Sequence, residues 1–199
     1  MCGIVSYLGK SDSVPILLKG LERLEYRGYD SAGLALIDGD NLSCIKQSGK
    51  VSELNSKIEK ISMKGSYGIA HTRWATHGPP NDTNAHPHLD QTGKIALVHN
   101  GIIENYSSIK MTLEGRGIKF TSDTDTEVLV QLISELYYNN DKKVSFENAV
   151  KAALQEVVGA YGIVAICVDE PGKMVAARMG SPLVLGVGDG EYLLASDAS

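Results

Sequence analysis

The sequence predicts a layered α+β protein with mostly antiparallel sheets. Strand-like stretches come in runs and helix-like stretches come in runs, with no strict strand–helix alternation to build a parallel sheet. The tail carries four strands in succession, YGIVAICVDE, KMVAARM, PLVLGVG and EYLLASD, with turns between them. No repeat, linker or low-complexity stretch interrupts the chain. Its 199 residues, 43% apolar and 22% charged, suffice for one domain with a substantial core.

The elements follow in order. GIVSYLG reads as a first strand. SDSVPILLKGLERLEYRG places Val14, Leu17, Leu18, Leu21 and Leu24 at helical spacing, with Ser11, Asp12 and Ser13 as possible caps and Gly28 past the end. SAGLALID is a strand. VSELNSKIEKI sets Val51, Leu54, Ile58 and Ile61 on one helix face. SYGIAHTRW is a strand that runs into ATHGPPNDTNAHPHLDQTG, a polar loop too long for a simple turn, and long loops in compact domains are often functional. KIALVHNG is a strand ending on an Asn-Gly turn signal. ENYSSIKMTLEGRG, DTEVLVQLISELYYN and SFENAVKAALQEVVG read as helices, the last with Phe146, Ala149, Val150, Ala153, Leu154 and Val157 inward.

Composition excludes several functions. The net charge is -5 and no Lys/Arg run stands out, so nucleic acid is not an expected partner. No apolar run approaches the ~18 residues of a membrane span, and no basic-then-apolar leader opens the chain. Cys2, Cys44 and Cys167 are odd in number and form no CxxC pair, which argues against a disulfide framework and for a reducing cytoplasm.

Chemistry concentrates in a few stretches. Once Met1 is trimmed, Cys2 carries a thiol and a free amine on one residue, and an amine of pKa ~7.7–8.0 is a base near neutral pH. N-terminal nucleophiles use that pairing. The competing reading is a small apolar residue that starts a strand. In HTRWATHG, Arg73 offers a bidentate fork for a carboxylate, with Thr76 and His77 as further donors; a structural salt bridge on a surface loop is the alternative. In VHNGIIEN, the Asn100 amide and the Gly101 N–H could bind a developing oxyanion, while Asn-Gly is also a strong turn signal. In TSDTDTEV, Thr124 with Glu127 fits a capping box, and Asp123 and Asp125 suit a helix N-terminus; Asp125 could equally face a substrate ammonium. Arg27 in YRGYDSAG either pairs with Asp30 or packs near the first strand and helps to orient Cys2. His71, His77, His86, His88 and His99 complete no familiar metal-ligand pattern, although His86-Pro87-His88 could supply two ligands.

MCGIV, LEYRGYDSAG, AHTRWATHG, NAHPH, VHNGIIEN, TDTEV, GAYG and GSPLV, taken together and in this order, resemble the glutaminase domain of the glucosamine-6-phosphate synthase family, within the class II glutamine amidotransferases. The resemblance covers essentially the whole chain. It implies an N-terminal-nucleophile hydrolase fold, an αββα four-layer sandwich with two antiparallel sheets. It implies hydrolysis of L-glutamine to glutamate and ammonia with no cofactor and no metal. By the same resemblance Cys2 is the nucleophile, Asn100 and Gly101 form the oxyanion hole, and Arg27 supports the terminus. Arg73, Thr76 and His77 hold the α-carboxylate of glutamine, Trp74 lies in the loop that closes over it, and Asp125 pairs with its α-ammonium. Family members continue into two sugar-phosphate isomerase domains that pass the ammonia to fructose 6-phosphate, in a full-length enzyme expected to be a homo-oligomer. Residues 1–199 are therefore expected to be a glutaminase domain, truncated at its C-terminal end. The alternatives are another class II glutaminase domain, a non-catalytic glutamine-binding module and, third, a metal-dependent hydrolase.

Overall fold

A computed structural model describes residues 2–74, 78–139 and 143–198. The strands are β1 (Gly3–Leu8), β2 (Ser31–Asp38), β3 (Asn41–Ser48), β4 (Tyr67–Arg73), β5 (His88–Leu89), β6 (Ile95–Ile103), β7 (Gly159–Cys167), β8 (Met174–Met179), β9 (Val184–Val187) and β10 (Tyr192–Ala195). The helices are α1 (Ser13–Leu24), α2 (Val51–Ile61), α3 (Tyr106–Gly115), α4 (Asp125–Tyr138) and α5 (Phe146–Gln155). One sheet has the order β3-β2-β4-β1-β10-β9 and the other β5-β6-β7-β8, with every strand pair antiparallel.

The layers follow from which faces are apolar. Alternate residues of a strand point to opposite faces, and in β1 and β4 every position but Leu8 is buried, so both faces are covered. Ile4, Ala35, Ile37, Tyr67 and Ile69 of the larger sheet pack against Ala96, Val98, Val164 and Ile166 of the smaller, which joins the two sheets face to face. On the outer face of the larger sheet, Val5, Leu34 and Leu36 meet Leu17, Leu21 and Leu24 of α1 and Leu54 and Ile58 of α2. On the outer face of the smaller sheet, Leu97, Ile163 and Ala165 meet Leu129 and Ile133 of α4 and Phe146, Val150 and Ala153 of α5. The result is an αββα sandwich.

The structure changes one sequence expectation and adds two features the sequence did not show. Residues 41–48 form an edge strand, β3, that periodicity did not reveal, because its side chains are mostly polar and half-exposed. The Asn-Gly pair makes no turn. β6 runs on through it, with Asn100 opposite Gly162 and Gly101 opposite Tyr161. The polar loop is polar but not superficial: Asn84, Ala85, His86 and His88 are buried, and β5 pairs with β6.

Candidate active site

β1 and β4 deliver the first components. Gly3 pairs with Thr72, and a Cβ on Gly3 would sit 2.6 Å from the Thr72 hydroxyl and 2.9 Å from the Leu24 Cβ. A bare glycine lets the strand start lie flat there, and Cys2 comes to rest beside Trp74, just past the end of β4. The Trp74 N–H donates to Cys2 Sγ at 3.2 Å, and the thiol donates to the Trp74 carbonyl at 3.4 Å. Burial pushes the Cys2 thiol up, with the Trp74 N–H opposing the shift. The sulfur is therefore a thiol at rest, and attack from it needs a proton acceptor.

β6 brings Asn100 and Gly101 to the same place. The Asn100 Nδ2 donates to the Cys2 carbonyl at 3.2 Å. Gly101 has φ +132°, and a Cβ there would collide with the Ala160 carbonyl on β7. No other residue satisfies both constraints, since positive φ and close backbone approach both call for glycine. Asp125 opens α4. It is 4% exposed, and its Oδ2 accepts the Ile103 N–H at 2.9 Å. Cys2, Arg27, Arg73, Trp74, Asn100, Gly101 and Asp125 all line one pocket of about 470 Å³.

Arg73 is nearly buried; it donates to the Pro79 and Gly78 carbonyls at 3.4 Å each and lies 3.9 Å from Asp30. Both a salt bridge and a pocket-facing position thus hold for this residue. Arg27 donates to the Ser196 carbonyl at 3.3 Å and meets Asp197 at 3.4 Å. Ser196 in turn hydrogen-bonds both the N–H and the carbonyl of Ile4 on β1. Arg27 therefore braces the start of β1 through the 196–197 segment. Thr76 and His77 lie outside the described residues.

At the head of α4, Thr124 accepts the Glu127 N–H at 3.2 Å, the first half of the expected capping box. The second half differs. The Glu127 carboxylate takes the N–H groups of Thr121 and Ser122 and both their hydroxyls, rather than the N–H of the cap itself.

The remaining wall of the pocket was not foreseen as such. His86, His99, Thr126, Ser181 and Pro182 also line it. The NAHPH and GSPLV stretches were visible as motifs, but nothing in their spacing says where they fold. The Thr126 hydroxyl is shared by His86 Nε2 at 2.8 Å and His99 Nδ1 at 3.0 Å, and His88 Nε2 meets the Thr124 hydroxyl at 3.0 Å. Burial pushes His86 and His88 well below the usual histidine range and His71 to about 3. Among the described residues no group of three or more His, Cys, Asp or Glu is arranged to hold a metal ion.

A wider crevice of about 850 Å³ is lined by Cys44, Lys46, Asp82, Glu127 and Gln131. Size does not make it the better candidate. Burial raises the Cys44 thiol to about 11 and its sulfur meets the Pro87 carbonyl at 3.9 Å, so it rests as a protonated, structural thiol.

The fold defines the class. Two antiparallel sheets packed between helix layers, with a cysteine leading the strand at the centre of the larger sheet, make an N-terminal-nucleophile hydrolase fold. Within that class the chain belongs to the glutamine amidotransferase family: residues 43–199 match the family described as glutamine amidotransferase domain. It is 54% identical to the glutamine–fructose-6-phosphate aminotransferase (isomerizing) of Chlorobaculum tepidum over 202 aligned residues, covering 100% of this chain and 33% of that protein. The enzyme of the same name from Bacteroides thetaiotaomicron is also 54% identical, with 100% and 32% covered. The chain thus spans about a third of the length of these relatives. Among solved structures, the glutamine phosphoribosylpyrophosphate amidotransferase of B. subtilis, complexed with ADP and GMP, superposes with a TM-score of 0.82 at 29% identity, covering 98% of this chain and 42% of that one. No described helix is long and apolar enough to cross a membrane.

Proposed function

We propose that this chain is a glutaminase domain that hydrolyses L-glutamine to glutamate and ammonia through a thioester on Cys2. The observation that carries the reading is the convergence on one pocket of a thiol, a side-chain amide donor, a cation and a carboxylate, from the residue ahead of β1 and from β6, β4 and α4. These are the parts that amide hydrolysis of a zwitterionic amino acid requires. In this reading the active form begins at Cys2, and its α-amine takes the thiol proton, directly or through a water. The sulfur attacks the side-chain amide carbon, and the charge that develops on the amide oxygen is met by Asn100 Nδ2 and the Gly101 N–H. The tetrahedral intermediate collapses, the nitrogen leaves as ammonia after accepting that proton back from the Cys2 α-ammonium, and water then cleaves the thioester to release glutamate. Arg73, with Thr76 and His77, takes the α-carboxylate, Trp74 closes the pocket and Asp125 takes the α-ammonium. Arg27 holds the chain start in place.

The relatives' names support a wider role, in which the domain supplies ammonia to fructose 6-phosphate to make glucosamine 6-phosphate in a longer enzyme; we extend the proposal to a cytoplasmic, homo-oligomeric whole. Residues 1–199 would form its glutaminase half.

Treatment with a glutamine-like electrophile followed by peptide mass spectrometry tests the assignment. One adduct on the peptide that starts at Cys2, suppressed by excess glutamine, is the expected result. An adduct on Cys44 or Cys167 instead, or none, would contradict it.

A further inference from the structure

His71 was singled out by the sequence only as one of five histidines, and the reaction proposed above gives it no task. Its place in the fold supplies one. It lies on β4, has no exposed surface, and presents Nε2 to two oxygens, the His99 carbonyl at 3.1 Å and Asn100 Oδ1 at 2.9 Å. A backbone carbonyl only accepts hydrogen bonds. The ring nitrogen that faces it therefore carries the proton, and His71 is the Nε2–H tautomer. That N–H also faces the Asn100 carboxamide. With the amide reversed, its NH2 would oppose the ring N–H, donor against donor. The oxygen end of Asn100 must turn toward His71 and the NH2 end away from it, and away from it lies the Cys2 carbonyl, 3.2 Å from Nδ2.

We propose that His71 is a positioning residue that fixes the orientation of the Asn100 carboxamide, so that its NH2 group faces the reacting centre at Cys2. This rests on the reading of Asn100 as an oxyanion donor. The chain of control has three links. The His99 carbonyl selects the tautomer of His71, His71 selects the face of Asn100, and Asn100 presents its donors to the substrate. The imidazole is held in turn by its surroundings. It stacks on His86, with ring centroids 4.2 Å apart and planes 24° from parallel, and His86 is pinned by the Thr126 hydroxyl. Its Nδ1 has no hydrogen-bond partner among the described residues, so the polar bonding of the ring is all on the Asn100 side. Burial keeps the ring neutral, which preserves a single N–H and a single tautomer across the working pH range.

A histidine that only fills space would behave differently, and a double-mutant cycle separates the two. His71→Leu keeps most of the volume and removes the donor. His71→Gln keeps an amide N–H close to the Nε2 position. Losing an oxyanion donor outright costs on the order of 10²–10³ in kcat, which sets the ceiling for misorienting it. The expected result is that His71→Leu lowers kcat for glutamine about 30-fold or more with KM within about 3-fold, and that His71→Gln restores kcat to within about 5-fold of the parent. In an Asn100→Ala background, His71→Leu should cost less than about 3-fold more, because the group it orients is gone. Equal losses in both backgrounds, equal losses for Leu and Gln, or a parental kcat in His71→Leu would each overturn the proposal. If Asn100→Ala alone leaves kcat unchanged, the oxyanion reading fails and this inference fails with it; if Asn100→Ala is impaired while His71→Leu is not, only the inference fails. Should the Leu variant not fold, 15N NMR of the His71 ring in the unmutated chain gives the answer. A neutral Nε2–H ring from pH 5 to 8 agrees with the proposal, and an Nδ1–H or doubly protonated ring contradicts it.

Discussion

Asp125 shows at the scale of one residue how structural and functional demands overlap. Its Oδ2 satisfies a backbone N–H of β6, and the same carboxylate lines the pocket. Asn in its place keeps an oxygen for Ile103 and remains acceptable at a helix start, but it gives up the negative charge. Asp125→Asn should therefore leave the fold intact and weaken glutamine binding by about 1.5–3 kcal/mol, the range for hydrogen bonds to charged groups. Glutamine titration and a thermal melt on the same sample check this. A drop in stability with unchanged affinity would mean that the carboxylate serves only β6 and the helix. Residue identities were the most legible part of the site. Cys2, Arg73, Asn100, Gly101 and Asp125 could all be nominated from their local sequence, because each carries its chemistry in a short motif. Their meeting at one pocket is a property of sheet register, which local spacing does not encode.

At the scale of elements, the N-terminus of α4 is where Asp125 is held in place. The Glu127 carboxylate, 3% exposed, gathers two N–H groups and two hydroxyls from residues 121 and 122. Glu127→Ala would strand those backbone donors in the interior. The expected loss is about 2–4 kcal/mol of unfolding free energy by urea titration, with a raised KM as Asp125 shifts. A loss under about 0.5 kcal/mol would show that water replaces the carboxylate. Strong periodicity made the other helices readable: Leu17, Leu21 and Leu24 of α1 and Phe146, Val150 and Ala153 of α5 are buried as their spacing requires. β3 was not readable, because an edge strand exposes much of its surface and needs no apolar alternation. Asn100-Gly101 misleads for a different reason. The pair serves as a turn elsewhere, but here the ladder to β7 holds it inside β6.

The whole molecule is an interior with histidines built into it. His71, His86 and His88 are buried and kept neutral, and desolvation is the main cause for each. In the unfolded chain they take protons below about pH 6.5. The unfolded state then binds more protons than the folded one, so stability falls as pH falls through that value. At pH 5 His71 contributes about 2 kcal/mol of destabilisation relative to neutral pH, a loss that continues toward about pH 3, and His86 and His88 act in the same direction. Urea midpoints at pH 7.5 and 5.0 should differ accordingly. Equal midpoints would mean that these rings become protonated in the folded state. The sequence showed His86 and His88 as polar residues in a long loop and His71 in the strand before it, and raised metal binding as one use for the histidines. That a loop rich in Asn, Pro and His would pack inside depends on Thr124, the cap of α4, and Thr126 in its first turn being there to receive the ring nitrogens.

The account turns on Cys2 acting as a nucleophile with its own amine as base, and the sharpest test leaves every side chain in place. Two forms of the chain are prepared, one beginning at Cys2 and one retaining Met1, with both N-termini verified by mass spectrometry. Glutamate release is then measured under saturating glutamine. A preceding residue turns the Cys2 amine into a peptide nitrogen, which is not basic, while burial keeps the thiol protonated. The trimmed form should turn over and the Met1 form should be inactive, with the same thermal stability in both. Comparable turnover from the two forms would contradict the N-terminal-nucleophile mechanism and return Cys2 to the role of a strand residue.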